Sequence, residues 1–163
     1  MLEIIEPCPA QLPLVRELFL EYADSLDFDL GFQGFEQELA SLPGEYASPA
    51  GCVLLARLDT RLAGCIALRP LAEGIAEMKR LYVRPSCQGK GVGRALSVAL
   101  LRRAALLGYD KLRLDTVPSM HAALGLYRSM GFYSIPPYRE NPIPGASYLE
   151  ICLSALAAQP AAE

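Results

Sequence analysis

Apolar residues Leu14, Val15, Leu18, Phe19 and Tyr22 recur at the three-and-four spacing of one helical face, which predicts an amphipathic helix over Pro9 to Ser25. Leu2 to Ile5, ahead of it, reads as a short strand. A shorter helix is expected from Phe35 to Leu42, behind the breaks at Gly31 and Gly34. Cys52 to Leu58 and Leu62 to Arg69 are β-rich runs on either side of Asp59-Thr60-Arg61, the signature of a hairpin. Ala76 to Val83 is a further strand, stopped by Pro85. A glycine-rich turn follows, then a helix from about Gly91 to Leu107 closed by Gly108. Lys111 to Val117 alternates as a strand, Ser119 is the expected N-cap of a helix running to Met130, and Gly131 ends that helix. Phe132 to Ile135 and Tyr148 to Ser154 complete the set, separated by a proline-rich loop. This order of elements predicts an α/β protein with a mixed sheet in a three-layer arrangement.

Composition narrows the class. A chain of 163 residues with 52% hydrophobic and 20% charged residues has the profile of one globular domain. We assign it to residues 1–156, with 157–163 as a frayed Pro/Ala tail. Intrinsic disorder, collagen repeats and a disulfide-stapled miniprotein are excluded. No apolar run approaches the ~18 residues of a membrane span, and the N-terminus lacks a basic leader, so a cytoplasmic protein away from membranes is expected. Five cysteines without a CxxC pair, and His121 as the single histidine, suggest neither a metal site nor a disulfide framework. Reduced, mostly buried thiols are expected. A net charge of -3 argues against a nucleic-acid partner. Its distribution is uneven: eight acids and no Lys or Arg lie between Glu17 and Ala56, whereas nine basic residues face one acid between Lys79 and Arg113. The basic run suits an anionic ligand. The acidic run suits a cation or is a solvated face.

The densest chemistry lies between Leu81 and Leu96, where a strand enters a loop with glycines at 89, 91 and 93 and a helix starts at once. Glycines let backbone approach a bulky anion, and a helix N-terminus offers unpaired N–H groups, so phosphate binding is the default expectation. A Walker loop is excluded because Gly91, not Ser or Thr, follows Lys90. The dinucleotide fingerprint fails as well, with Arg94 or Leu96 at the place of its third glycine. What remains, Gln88-x-x-Gly91-x-Gly93 after a strand ending Val83-Arg84-Pro85, resembles motif A of the GNAT superfamily of N-acetyltransferases. Tyr127-Arg-Ser-Met-Gly131-Phe132 resembles that family's helix-end signature, and the two together span about Ala76 to Phe132.

The resemblance implies the acyl-CoA N-acyltransferase fold, a central mixed sheet of about seven strands flanked by about four helices. It implies acetyl-CoA as cosubstrate, held at its pyrophosphate by Gln88, Gly89, Lys90, Gly91, Val92, Gly93 and Arg94. The strand carrying Leu81, Tyr82 and Val83 would pair with the pantetheine, and the N–H of Val83 would face the thioester oxygen. Tyr127 is similar to the family's general acid, and Glu77, eleven residues before Gln88, stands where histone-type members carry a glutamate base. Strand alternation allows Glu77 the alternative of an exposed acid paired with Lys79 or Arg80. His121 is a second candidate base, and Cys87 borders the loop as a structural thiol. Met120 occupies the place of an asparagine that contacts the pantetheine in many members. The acceptor expected is the primary amine of a small molecule. Arg139, in the loop that also carries Tyr138 and Asn141, would favour a carboxylate-bearing acceptor, and the acidic N-terminal half a polyamine, an aminoglycoside or a lysine side chain. A catalytically silent acyl-CoA-binding module is the alternative function, and a homodimer through the last strands would suit the family.

Overall fold

The structure, a computed structural model, describes residues 1–154; the expected tail at 157–163 lies outside them. The strands are β1 (Leu2–Ile5), β2 (Cys52–Leu58), β3 (Arg61–Ala72), β4 (Ile75–Val83), β5 (Lys111–Thr116), β6 (Tyr133–Ser134) and β7 (Ser147–Cys152). The helices are α1 (Leu12–Ser25), α2 (Phe35–Ala40), α3 (Val92–Leu106) and α4 (His121–Ser129). The seven strands form one mixed sheet of order β1-β2-β3-β4-β5-β7-β6, with β4 and β5 parallel. The expected elements are present. The start of α4 differs: its N-cap is Met120, not Ser119, because the Met120 N–H bonds to the Val117 carbonyl (3.0 Å) and closes a turn through residue 119.

The chain resolves into two compact units, Met1–Pro70 with Met78–Leu100, and Leu71–Glu77 with the segment from Leu101 on. In the first, the predicted stripe of α1 supplies Val15, Leu18 and Phe19, all fully buried. They cluster with Val53 and Leu55 of β2 and Cys65 and Ala67 of β3. Val53 opposes Ala67 and Leu55 opposes Cys65, so the four project from one face, as a period of two requires. Leu30, Phe35 and Tyr46 close the cluster. Phe19 meets Tyr46 edge to face at 5.9 Å.

The β2–β3 hairpin turns on Asp59 and Thr60 alone, with Leu58 opposite Arg61 and φ of 49° and 72° at the two turn residues. Positive φ at both positions matches the right-handed twist of the strands, but a β-branched threonine is strained there. A register shift at Ala56/Arg57 bulges β3, and the carbonyl of Ala63 in that bulge accepts the Arg84 N–H at 2.8 Å. Next to it, any Cβ on Gly64 would collide with the Tyr82 carbonyl oxygen. Glycine at 64 thus lets β3 approach the Tyr82–Val83 end of β4.

In the second unit, Leu112, Leu114 and Thr116 of β5 are buried on one face, and Lys111, Arg113 and Asp115 alternate on the other. Opposed residues again share a face. Glu77 of β4, Arg113 of β5, Glu150 of β7 and Tyr133 of β6 therefore form one row across four strands, with Asp115 and Tyr148 as the next pair along.

Thr60→Gly relieves the strained turn and is expected to add about 1 kcal/mol, raising the thermal midpoint by about 2–4 °C. Gly64→Ala forces backbone apart and is expected to cost about 1–3 kcal/mol in denaturant unfolding. Gly125→Ala, in α4 with ordinary φ and open space around its Cβ, is expected to gain about 0.5–1 kcal/mol in the same measurement.

Candidate active site

Past Val83 the chain makes a single 3-10 turn, Pro85–Cys87, and Gln88 then runs extended. The Gln88 Nε2 donates to the Val83 carbonyl at 3.3 Å, so this side chain braces the loop against the strand end. Gly89 and Gly91 have φ of 74° and 80°, with nothing within 4 Å of where a Cβ would stand. The backbone conformation, not crowding, selects glycine here, and the space outside the turn is open. The first helical hydrogen bond of α3 runs from the Ala95 N–H to the Gly91 carbonyl (3.0 Å), leaving the N–H groups of Val92 and Gly93 without an intrahelical acceptor. Val92 anchors the turn through its buried side chain, while Lys90 and Arg94 are exposed beside it. Open N–H donors, the positive end of the α3 dipole and two exposed cations make this turn chemically suited to a phosphate or pyrophosphate. Leu81, Tyr82 and Val83 are half-buried in β4.

The two oppositely charged runs partly answer one another. The Arg80 guanidinium is 3% exposed and bonds both oxygens of Glu38, at 2.9 and 3.0 Å, and the Gln33 Oε1 at 2.7 Å. It also lies over the Phe35 ring at 5.2 Å. Lys79, also buried, donates to the same Gln33 oxygen. Arg84 binds Glu17 and Glu21, and Arg69 binds Glu45. The expectation that the basic run as a whole faces a ligand is corrected: Lys79, Arg80 and Arg84 are structural cations, since a buried guanidinium requires its counter-charge nearby. Asp24, Asp27, Asp29 and Glu36 remain around a recess of about 770 Å³ beside α2.

Glu77 is fully buried. It is therefore not the exposed acid that strand alternation allowed. Its Oε2 accepts the Tyr138 O–H at 2.7 Å and contacts the Arg139 Nη2. Both partners come from the proline-rich loop between β6 and β7, which is fastened over this sheet face at several points. The Asn141 Nδ2 donates to Asp115 at 3.0 Å, and the Asn141 Oδ1 accepts the Ile143 N–H. The Tyr148 hydroxyl donates to the Arg139 carbonyl, and Tyr148 meets the Tyr138 ring edge on at 5.5 Å. Burial pushes the Tyr138 hydroxyl far above the ordinary tyrosine range, with the negative charges of Glu77 and Asp115 adding to it, so it stays an O–H donor. Glu150 carries the row onward, accepting from the Arg113 Nε at 2.7 Å and from the Tyr133 hydroxyl. Burial alone would raise its carboxyl, but these two donors and Lys111 hold it below its usual value. The sequence reading singled out Glu77, Tyr138, Arg139 and Asn141 but missed Arg113, Asp115, Tyr148 and Glu150. Their signal was the alternation of β5 and β7, which marks a face without naming what lies across it.

Tyr127, on the last turn of α4, is 6% exposed, and its ring packs on Phe132 at 5.6 Å. The Phe132 N–H bonds to the Tyr127 carbonyl and the Gly131 N–H to the Arg128 carbonyl, with Gly131 at φ 99°. These are the two bonds and the apolar contact of a Schellman cap. Met120 precedes α4 without a side-chain cap bond, and His121 is exposed at its first residue. Cys87 is buried, which leaves it a structural thiol, while Cys8 and Cys152 are exposed and free. Among the described residues no helix is long and apolar enough to cross a membrane.

The family model described as acetyltransferase (GNAT) family matches residues 14–132. An uncharacterized N-acetyltransferase of Schizosaccharomyces pombe is 38% identical over 148 residues, covering 90% of this chain and 91% of that one. The N-acetylaspartate synthetase of Xenopus tropicalis is 31% identical over 101 residues, covering 61% of this chain and 37% of its own. Among solved structures, a Salmonella typhimurium acetyltransferase with its cofactor acetyl-CoA superposes with a TM-score of 0.72 at 19% identity, covering 99% of both chains. A match over most of the chain, and a relative similar along nearly its whole length, carry the glycine turn and the capped helix from resemblance to membership: the chain belongs to the GNAT family and is an N-acetyltransferase.

Proposed function

We propose that the protein transfers an acetyl group from acetyl-CoA to the primary amine of a small molecule, by direct attack within a ternary complex. The observation that carries this reading is the turn at 88–93, open on its outer side, with two α3 amides lacking intrahelical acceptors beside Lys90 and Arg94. Gln88, Gly89, Lys90, Gly91, Val92, Gly93 and Arg94 would hold the pyrophosphate. Leu81, Tyr82 and Val83 would hold the pantetheine, with Met120 bordering it in place of a hydrogen-bonding asparagine. The thioester supplies an activated acyl group; the chain supplies binding, orientation and proton transfer.

In this reading the Val83 N–H is the donor for negative charge on the thioester oxygen. Tyr127 is the general acid for the departing thiolate, and Glu77 the base that takes a proton from the acceptor ammonium. The Schellman cap favours Tyr127 for this role, because it fixes the ring on the last helical turn. Gly64 favours Val83, by admitting β3 against the Tyr82 carbonyl. A cytoplasmic setting suits the two exposed thiols, Cys8 and Cys152, which stay reduced there.

The test is thiol release from acetyl-CoA over a panel of amines including amino acids, polyamines and aminoglycosides. Turnover with at least one small amine is expected, and CoA binding without turnover on any member would replace this reading with a silent binding module. Tyr127→Phe keeps the ring and its contact with Phe132, so a folded variant is expected with a 10²- to 10⁴-fold lower kcat. Wild-type kcat in that variant would remove Tyr127 from the chemistry.

A further inference from the structure

The Glu77–Arg139 pair is asymmetric. A guanidinium presents Nε–H and one Nη–H as a parallel pair that fits both oxygens of one carboxylate. Here Nη2 contacts Glu77 Oε2, while Nε is buried and has no hydrogen-bond partner among the described residues. An unmet buried N–H is costly, and in a native structure it calls for an explanation. The exposures differ as well. The Arg139 side chain is 25% exposed and Glu77 is 0% exposed, so Arg139 is the solvent-facing member of the pair. Glu77 Oε2, the oxygen occupied by Arg139, also holds the Tyr138 O–H, so the proposed base is engaged by two donors at once.

We infer that Arg139 is the anchor for a carboxylate on the acceptor, so that the acceptors are amines of the amino-acid class, and that anchoring transfers the guanidinium from Glu77 to the substrate. This rests on the acetyl-transfer reading with Glu77 as base. The exchange keeps charges matched. Arg139 passes from one carboxylate to another and fills both N–H positions of its edge. Glu77 keeps the Tyr138 O–H and regains a lone pair on Oε2. The acceptor ammonium then loses a proton as its N–H bond breaks and an O–H bond forms on Glu77, giving a neutral amine and a neutral acid. The backbone need not move, because the Arg139 carbonyl is held by Tyr148 and the following turn by Asn141 on Asp115. An amine lacking a carboxylate leaves the guanidinium on Glu77.

The experiment compares acceptors matched except for the carboxylate: lysine with 1,5-diaminopentane, and phenylalanine with phenethylamine. Binding to the full chain saturated with CoA is measured by calorimetry, and kcat/KM by thiol release. Wild type is expected to favour the member with the additional carboxylate in each pair by about 10- to 100-fold. Arg139→Gln is expected to abolish that ratio, chiefly through KM, and Arg139→Lys to restore part of it. A ratio of two acceptors on one variant does not move when a substitution merely lowers the folded fraction. Equal affinity of wild type for both members, or an unchanged ratio in Arg139→Gln, would overturn the assignment. Absence of turnover on every amine would defeat the acetyl-transfer reading instead, and the calorimetric ratio would still decide whether Arg139 anchors a carboxylate.

Discussion

A carboxylate with no access to water needs donors on its oxygens, and Glu77 meets that need from a loop more than fifty residues further along the chain. Desolvating an unpaired carboxylate would cost several kcal/mol, more than most single contacts return. The Tyr138 O–H and the Arg139 guanidinium are therefore conditions for β4 to carry an acid at this position. They also explain why the loop between β6 and β7 folds back over the β5–β7 face. Tyr138, Arg139 and Asn141 each reach a carboxylate beneath them, the first two Glu77 and the third Asp115. Four prolines between Tyr133 and Gly145 restrict the loop's unfolded conformations and lower the entropy lost when it is pinned. The group proposed for proton transfer is thus part of what orders the loop above it.

The same electrostatic rule accounts for the uneven charge along the chain. Read linearly, an acid-only run followed by a basic run suggests two ligand surfaces of opposite sign. In the first compact unit Arg80 takes Glu38, and Arg84 takes Glu17 and Glu21, so part of each run is spent on internal pairs. Arg80 also sits at φ 61°, an uncommon conformation for a side chain of that size, and bidentate pairing with Glu38 offsets the backbone cost. Lys90 and Arg94 differ from these in being exposed beside the glycine turn. Burial identifies the structural cations, and sequence position does not.

The elements were legible wherever a period could be counted. The 3.6-residue stripe of α1 and the two-residue alternation of β5 each reflect a buried face, and buried faces are written locally. The hairpin at Asp59-Thr60 and the glycine ends of α3 and α4 were legible for a different reason, since positive φ restricts residue choice at single positions. The lateral row Glu77, Arg113, Glu150 and Tyr133 was not legible. It exists because β7 inserts between β5 and β6, and strand order depends on contacts distant in sequence. Ser119 misled as a cap for a related reason: the Met120 N–H bonds to the Val117 carbonyl in a turn, and the helix starts one residue later, after Met120. At the site, the motif residues announced themselves, and the residues that hold them did not.

The Tyr…Gly-Phe signature has two independent explanations, and they reinforce each other. Backbone chemistry alone demands a glycine after the helix, and it favours apolar residues at the positions of Tyr127 and Phe132, which the Schellman bonds bring into contact. Nothing in that demand requires a hydroxyl, and phenylalanine at 127 would satisfy the cap equally well. The phenol O–H goes beyond what the cap requires. Catalysis needs a donor whose position does not wander, and the last turn of a helix closed by two backbone bonds provides such a position without additional residues. A stable helix end and the proposed proton donor can thus share one six-residue span, Tyr127 to Phe132, with the ring serving the fold and the hydroxyl assigned to chemistry in the proposed reading.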